Sequence, residues 1–443
     1  MIDVLLLFCL LMSSCHRDNP LSIKESLPIV ENPLFFISND VHLFGKTLHD
    51  NGERYQQVLN GRDGKNIAMI DPLLQTLIAQ AYKQHPDVVL FNGDLTYNGE
   101  KESHRELASR LYELEQTGTK VYVIPGNHDI NNPWARAFYG DKALYTDSLN
   151  PEEFAAMYKD FGFSEALSRD RATLSYVAAP AANIRILMLD SAQYYHNREL
   201  GFPEVGGAIP ESTRKWIVNV FAEARRSEAQ VLVAMHHSLI DHNAMINRGF
   251  TVEDAELLQT VCAESSIPFV LSGHIHAQNI SKKDTKAGTI YDIATSALSV
   301  YPHHIGVLQL VDNTRWQYTV QTLDVDSWAQ ATNQTDIQLL NFSHYAQQYF
   351  RKTAHGMVLR GIDDSNQLSA EELYSLIDLV STVNERYFSG LQHLNATDVF
   401  DMPGYAVLQK QESGFLARYV LNVMEDSGIN NINFTAVLLG TDL

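Results

Sequence analysis

Positive charge is scarce in this chain of 443 residues. Its 33 Lys and Arg residues are outnumbered by 53 Asp and Glu residues, so the formal net charge is −20. No long basic run interrupts this acidic background. Binding to polymeric nucleic acid regardless of base sequence depends on clustered Lys and Arg, and the composition therefore argues against such a partner.

Cysteine and long apolar runs are also rare. The apolar run at residues 4–12 is too short to span a bilayer but has the length of a secretory signal core. Ser13 and Ser14 then precede Cys15, which resembles a bacterial lipobox, whose cysteine is lipidated and becomes the mature N-terminus. Asp3, with no Lys or Arg before the run, departs from this pattern. The alternative is a core strand or helix that begins at the N-terminus.

The lipobox interpretation predicts both location and redox state. Residues 1–15 would be signal peptide and lipobox, and residues 16–31 a tether. A lipid at Cys15 would anchor the protein to the extracellular face of the bacterial cell membrane. Cys9 would leave with the signal, so no intrachain disulfide could form. The remaining Cys262 lies on an apolar helical pattern and is expected to be inert filling.

Strand and helix patterns alternate through residues 32–326, the predicted main domain. Short apolar runs indicate buried strands at residues 34–38, 88–92, 121–124, 231–235 and 269–272. Apolar residues at helical spacing separate several of these runs, and later runs add further strands. An α/β fold with a mixed sheet is the expected class.

Helical patterns dominate residues 327–443, which we interpret as a smaller C-terminal domain. Ser369 followed by Glu372 predicts a capping box at a helix start. The preceding DDSNQ segment has some calcium-loop character, but it lacks the turn glycine and the distal Glu. Aromatic residues such as Tyr345 and Tyr349 are expected in the core. A lid, a dimerisation surface and a brace for the main domain remain open roles.

Polar residues that can bind metal follow five of the predicted strands. They are, in chain order, Asp40 and His42, then Asp94, then Asn127, His128 and Asp129, then His236 and His237, then His274 and His276. One such group would be an ordinary turn or cap. In α/β sheets, however, sites assemble at the carboxyl ends of strands, so five groups in these positions indicate one shared site.

This mixture of groups points to a particular kind of metal site. Carboxylates, imidazoles and one amide oxygen suit Mn, Fe or Zn rather than the thiolate cage of structural zinc. Two divalent ions held by only two carboxylates leave the site net positive, even with a bridging hydroxide. Such a site would attract a phosphate ester despite the acidic surface around it.

The ordered motifs DxH, GD, GNHD, H and GHxH resemble the signature of the calcineurin-like metallophosphoesterases. The resemblance covers about residues 34–324 and implies a four-layer αββα sandwich with two divalent metal ions at one end. It implies one metal held by Asp40, His42 and His276. It implies a second metal held by Asn127, His236 and His274, with Asp94 bridging the two.

The same resemblance implies the catalytic roles. A metal-bridging hydroxide would be the nucleophile, and His128 would stabilise the transition state or protonate the leaving oxygen. Asp129 would orient a neighbour. His236 is preferred to His237 as ligand because it directly follows the strand, and this choice stays open. Outside the motifs, Asp190 is interpreted as structural support, Tyr97 and Asn98 are close enough to touch substrate, and four histidines are expected to be structural or exposed: His104, His196, His303 and His304.

The segment GDLTYNGE, together with GNHD and GHxH, looks closest to the class III cyclic-nucleotide phosphodiesterases. The expected function is hydrolysis of phosphate diesters, and cyclic nucleotides are the most specific candidate substrates. One alternative is a phosphomonoesterase or nucleotidase. The other is a lipoprotein that binds a phosphorylated ligand without catalysis, which would show gaps among the ligands or at His128, and none is missing.

Overall fold

A computed structural model of the chain describes residues 27–61, 64–362, 368–392, 396–410, 414–425 and 428–438. The predicted signal, Cys15, most of the tether and the DDSNQ segment lie outside these residues. Within the described part of the chain, no helix is both long enough and apolar enough to cross a bilayer. Cys262 is a buried free thiol among apolar side chains, and burial raises its pKa to about 12.

Strands and helices alternate in the main domain. The strands are β1 (Leu34–Ser38), β2 (Val88–Asn92), β3 (Lys120–Ile124), β4 (Arg136–Tyr139), β5 (Lys142–Tyr145), β6 (Ser168–Arg169), β7 (Tyr176–Ala181), β8 (Ile184–Leu189), β9 (Gln230–Met235), β10 (Phe269–Ser272), β11 (Asn279–Thr285), β12 (Gly288–Ala294), β13 (His304–Val311), β14 (Arg315–Thr322) and β15 (Asn433–Val437). The five buried strands predicted from the sequence are present as β1, β2, β3, β9 and β10.

Helices flank these strands and then dominate the C-terminal part. The helices are α1 (Glu53–Leu59), α2 (Ile70–Gln84), α3 (Lys101–Glu115), α4 (Pro151–Met157), α5 (Asn197–Leu200), α6 (Glu211–Arg226), α7 (Ala255–Glu264), α8 (Val325–Ala331), α9 (Ile337–Leu340), α10 (Phe342–Gly361), α11 (Ala370–Phe388), α12 (Ala396–Phe400), α13 (Pro403–Gln409) and α14 (Phe415–Val423). The predicted capping box is confirmed: Glu372 N–H donates to Ser369 Oγ, and Ser369 N–H donates to the Glu372 carboxylate.

Two mixed sheets form the centre of the main domain. The first has the strand order β15-β14-β13-β1-β2-β3, and the second has the order β11-β12-β10-β9-β8-β7-β6. Strands β1, β2 and β3 run parallel to one another, and so do β8, β9, β10 and β12. The carboxyl ends of these strands are where an open α/β sheet presents its side chains to a ligand.

Successive side chains of β9 pack on opposite faces of the second sheet, one face against the first sheet and the other against helices. Leu232 and Ala234 belong to the core shared by the two sheets. Val233 and Met235 point the other way, into a second apolar cluster with α6 and α7. Helices α2 and α3 cover the outer face of the first sheet with their apolar stripes. The layers are therefore helix, sheet, sheet, helix, which confirms the four-layer sandwich.

The C-terminal helices have a core of their own but are joined firmly to the sandwich. Along α10, Phe342 and Ala346 pack in the sandwich core, whereas Ala354 and Val358 pack with α11, α13 and α14. After α14 the chain returns to the first sheet as β15, which pairs antiparallel with β14. The sequence patterns predicted only helix after about residue 327 and missed this strand, although its alternating residues Phe434 and Ala436 are a weak strand signal.

Candidate metal centre

The predicted metal ligands lie in the loops that directly follow β1, β2, β3, β9 and β10. Five of them adopt a left-handed backbone conformation, with positive φ: Asp40, His42, Asp94, His274 and His276 have φ values of 51°, 50°, 50°, 66° and 59°. Residues other than glycine rarely adopt this conformation, and such strain persists only where the surrounding structure enforces it. The loops after β1, β2 and β10 thus turn sharply at the residues whose side chains are predicted to bind metal.

The first group of ligands comprises Asp40, His42, Asp94 and His276, whose ligand atoms lie within 4.8 Å of one another. His42 Nε2 is 3.3 Å from His276 Nε2 and 3.7 Å from Asp94 Oδ2. His276 Nε2 is 3.5 Å from Asp40 Oδ1. Both carboxylates and His42 are buried, whereas His276 is partly exposed, so the group is a set of nitrogen and oxygen donors that is open to solvent at His276.

The second group lies on the other side of Asp94. His236 Nε2 is 3.4 Å from Asp94 Oδ1 and 3.2 Å from Asn127 Oδ1. The His236 and His274 rings are 4.8 Å apart. His236 Nδ1–H donates to Asn92 O at 2.9 Å, which leaves Nε2 directed at the site. This backbone carbonyl is an orienting group that residue types alone could not reveal.

His237 is the alternative to His236, and its ring nitrogens are engaged elsewhere. Nε2–H donates to Val205 O at 3.0 Å, and Nδ1 lies 2.9 Å from Ser191 Oγ, whose hydroxyl donates to it. His237 does lie near His236 and His274, within metal-ligand spacing. The ring contacts favour His236 as the ligand and give His237 a supporting position behind it.

Two glycines beside the ligands are required by close packing. At Gly126, an added Cβ would lie 2.3 Å from both the backbone nitrogen and Oδ1 of Asp94. At Gly93, which has a φ of +88°, an added Cβ would lie 2.6 Å from the His236 ring. No side chain can approach at these distances, so glycine is needed here to let the loops meet around Asp94.

His128 lies between the metal ligands and the loop after β2. Its Nδ1–H donates to Tyr97 O at 2.8 Å and lies 3.1 Å from Asn98 Oδ1. Its Nε2 is 4.0 Å from Asp94 Oδ2, and its ring is 5.0 Å from that of His42. The loop after β2 thus orients the ring so that Nε2 points toward the ligand groups.

Asp129 accepts hydrogen bonds from backbone N–H groups of the loops around the site. Its carboxylate accepts hydrogen bonds from the backbone N–H groups of Leu95, Thr96 and Gly126 at 2.8–3.0 Å, and from the Thr96 hydroxyl at 3.0 Å. These bonds fix the loop that carries Asp94. The neighbour that Asp129 orients is this loop, whereas the His128 ring is oriented by Tyr97 and Asn98.

Burial and opposite charges shift the pKa values of the site in different directions. Burial lowers the pKa of His42 and of His274 well below the usual value, which keeps both imidazoles neutral as metal ligands must be. Burial also disfavours a charged His236, but the Asp94 carboxylate outweighs it and raises the His236 pKa to about 9. A metal ion must displace that proton to use His236.

The four histidines that the sequence analysis set apart from the motifs are structural or exposed, as predicted. His104 is buried and bonds to Tyr158 and to the backbone beside Asp129. His303 is buried and donates to Leu298 O, and His304 is buried at the start of β13. His196 pairs with Glu199 at the surface. Asp190 accepts hydrogen bonds from Leu174, Ala192 and Tyr194 and is also structural.

The residues present fit a pair of divalent cations. His42 Nε2 and His276 Nε2 face each other at 3.3 Å, and the nearest carboxylate oxygens lie at 3.4–3.7 Å from the ring nitrogens. Donors bonded to one ion at about 2.1 Å are separated by roughly such distances. Imidazole, carboxylate and amide donors suit Mn, Fe or Zn, and the donor set accepts each of them.

Similarity to known proteins agrees with this geometry. Residues 34–278, more than half of the chain, match the family described as calcineurin-like phosphoesterase. The chain therefore belongs to that family. Residues 324–430 match a second family, described as the C-terminal domain of cyclic nucleotide phosphodiesterase.

The individual proteins similar to this chain share low sequence identity with it. The chain is similar to a "Probable cyclic nucleotide phosphodiesterase" of Psychrobacter sp. (strain PRwf-1), with 26% identity over 193 residues, 43% of this chain and 46% of the relative. It thus spans about half of that relative's length. A protein with the same description from Vesicomyosocius okutanii subsp. Calyptogena okutanii (strain HA) is 24% identical over 206 residues, 46% of this chain and 68% of the relative. Among solved structures, a dimetal phosphatase from Danio rerio has a TM-score of 0.47 at 15% identity, covering 66% of this chain and 96% of that chain.

Proposed function

We propose that this protein is a metal-dependent phosphodiesterase that uses two divalent ions and acts on cyclic nucleotides. The observation that carries the proposal is the position of Asp94. Its Oδ1 lies 3.4 Å from His236 Nε2, and its Oδ2 lies 3.7 Å from His42 Nε2. One carboxylate between two ligand groups suits two adjacent ions, an arrangement that serves in-line displacement at phosphorus.

The choice of a diester substrate is supported by sequence similarity. Residues 324–430 match a domain named for cyclic nucleotide phosphodiesterase, and two relatives of the chain carry that name. The ligand set alone would serve a monoesterase equally well. The substrate class therefore depends on the loops and helices around the site rather than on the ligands.

The chain's own residues position the substrate and handle the proton. Divalent ions bound by these ligands would supply Lewis acidity to the phosphoryl oxygen and lower the pKa of a water nucleophile. Burial lowers the pKa of His128 to about 4, with Asp94 opposing this shift. An anionic phosphate beside Nε2 favours the protonated ring, so in the substrate complex His128 can donate that proton to the leaving oxygen.

The partners and location belong to the same proposal. A small phosphate ester would be the substrate, and polymeric nucleic acid would not bind. A lipid on Cys15 would hold the protein on the extracellular face of the bacterial cell membrane. Cys15→Ser is then expected to move the protein from the membrane fraction to the soluble fraction, and an unchanged distribution would contradict the anchor.

The proposed activity is tested by comparing substrates. The protein is stripped of metal, reloaded with Mn, and assayed on bis-p-nitrophenyl phosphate, p-nitrophenyl phosphate and cyclic AMP. We expect metal-dependent cleavage of the diester to be faster than that of the monoester, with turnover of cyclic AMP. Faster monoester cleavage would identify a phosphomonoesterase or nucleotidase instead. No turnover with both metals bound would indicate a binding role.

A further inference from the structure

A buried carboxylate outside the metal centre lies beside the loop that orients His128. Glu100 is fully buried, and its Oε2 accepts hydrogen bonds from the Asn98 backbone N–H at 3.0 Å and from the Ser103 hydroxyl at 3.3 Å. Burial raises the pKa of Glu100 to about 7, and the bond from Asn98 opposes this shift. Burying a carboxyl group is costly, so hydrogen bonds of this kind must offset the loss of water.

Residues 96–99 of the loop after β2 lie directly on the backbone of His128 and Asp129. At Gly99, which has a φ of +73°, an added Cβ would lie 2.9 Å from the backbone oxygen of each of these residues. Gly99 N–H donates to Thr96 Oγ at 3.1 Å, and the Asp129 carboxylate accepts from the backbone N–H of Thr96 at 3.0 Å. Asp129 therefore fixes the Thr96 end of this segment.

Glu100 fixes the other end of segment 96–99 through a single peptide group. The N–H of Asn98 donates to Glu100 Oε2, and the C=O of the same peptide group, which belongs to Tyr97, accepts from His128 Nδ1–H at 2.8 Å. The Asn98 side chain places its Oδ1 at 3.1 Å from the same nitrogen. The Glu100 carboxylate and the His128 imidazole are thus joined by the two sides of one peptide group.

This connection sets both the direction and the tautomer of the His128 ring. The peptide group is planar and rigid, so a carboxylate that fixes its N–H also fixes its C=O. Consecutive hydrogen bonds polarise one another, so an anion that accepts from the N–H makes the oxygen a stronger acceptor. An acceptor at Nδ1–H keeps the proton on that nitrogen. Nε2 then remains directed at the ligand groups, 4.0 Å from Asp94 Oδ2.

We propose that Glu100 is a positioning residue for proton transfer and that it acts on His128 through the peptide group between Tyr97 and Asn98. This inference rests on the proposed function, since it takes His128 to protonate the leaving oxygen. The alternative is a structural role at the start of α3, where Ser103 donates to the same carboxylate. A structural role would depend neither on His128 nor on the leaving group, whereas the positioning role depends on both.

The test compares two esters that differ in their need for a proton donor. Cyclic AMP releases an alkoxide, which must be protonated, whereas bis-p-nitrophenyl phosphate releases p-nitrophenolate, a stable anion. In the Mn-loaded protein, Glu100→Ala should lower kcat for cyclic AMP about 10- to 100-fold, because a small displacement of a catalytic group costs about 100-fold, and should lower kcat for the nitrophenyl ester less than about 3-fold. KM and metal content should not change. If monoesters are the faster substrates, AMP and p-nitrophenyl phosphate form the same pair.

Further variants show whether the contact itself is responsible. Glu100→Gln should stay within about 3-fold of wild type on both esters, since its amide oxygen can accept from Asn98 N–H. Glu102→Ala is the matched control, because Glu102 lies on α3 and forms a partly exposed pair with Arg105, and its kcat should equal that of the wild type. Should Glu100→Ala fail to fold, Glu100→Asp tests the same contact, because its carboxylate is one methylene shorter and is drawn away from Asn98.

The decisive comparison is Glu100→Ala in a His128→Ala background. There it should lower kcat for the nucleotide no further, because the effect passes through His128. A further fall in that background, an equal fall on both esters in the single variant, or loss of metal would assign Glu100 a structural role and overturn the inference. An unchanged kcat in Glu100→Ala would also overturn it while leaving the proposed activity intact. No turnover of either nucleotide by the wild type would contradict the proposed function and this inference together.

Discussion

The strand edge of the sandwich and the core of the C-terminal helices place polar groups differently. At the edge, buried carboxylates and imidazoles converge, and five of the predicted ligand residues adopt the left-handed conformation. Among the helices, the buried cluster is apolar, and the hydroxyl of its buried Tyr419 pairs with Asn384 at 2.8 Å. The first region concentrates polar and charged groups that are costly to bury, whereas the second buries mainly apolar side chains.

This difference separates two kinds of sensitivity. Strained loops and converging charges persist only where the surrounding residues pack tightly around them. Small steric changes at the strand edge should therefore lower turnover strongly. A helical core of packed apolar side chains loses more stability as more side-chain volume is removed. The effect of such a loss on the site should be indirect. Three substitutions test this division.

The largest effect is expected from Gly126→Ala. The added Cβ would lie 2.3 Å from Asp94, so the Asp94 carboxylate must move. A displacement of about 1 Å at a reacting centre can reduce turnover about 100-fold, and if Asp94 is shared by two metals, as proposed, its displacement should add to this. Turnover and metal content by elemental analysis are the measurements. Gly118→Ala is the control, because it precedes β3 at the opposite edge and the space around it is open; its φ of +91° makes alanine strained there, so this variant should lose some stability but keep its turnover. Equal turnover in the two variants would contradict the tight packing at Asp94.

A smaller effect is expected from His128→Ala. Removing a proton donor should lower turnover about 10²- to 10⁴-fold. Both metals should remain, because the Asp94 contacts to His42 and His236 are untouched. Metal loss from this variant would show that His128 is a ligand. Asn98→Ala should lower turnover less, since Tyr97 O still accepts from His128 Nδ1–H.

Much of the fold followed from apolar patterning along the chain. The runs that became β1, β2 and β10 were predicted to the residue, because they are short, apolar except for the last residue, and followed by turn residues. Strand β15 was missed. Its pairing with β14 joins residues more than a hundred positions apart, and such long-range partners leave little trace in local composition.

The candidate site was predictable in its residues but not in its support. Ordered motifs at strand ends indicated which side chains converge. The hydrogen bonds that direct them, from Asn92 O to His236 and from Tyr97 O to His128, involve backbone atoms that every residue possesses. The two partners of the His237 ring likewise depend on the folded chain. Orientation, unlike composition, is a property of tertiary structure.

The smallest effect on turnover is expected from Leu376→Ala in the helical core. Leu376 is fully buried on α11, so its truncation should lower the free energy of unfolding by about 2–5 kcal/mol. Turnover measured well below the unfolding temperature should stay within about 2-fold of wild type, because Leu376 lies on α11 and no predicted ligand does, although Ile275 and Ala277 beside His276 share its apolar cluster. Leu421→Ala on α14 is the matched control, since Leu421 is 52% exposed and loses little burial. Thermal unfolding and turnover are measured on both variants. If folded Leu376→Ala protein lost turnover as Gly126→Ala does, the helical core and the strand edge would be one cooperative unit, and the division drawn here would fail. If stability alone falls, the helices act on the site only through local contacts such as the packing of Ile275 and Ala277, which flank His276, against the helical cluster.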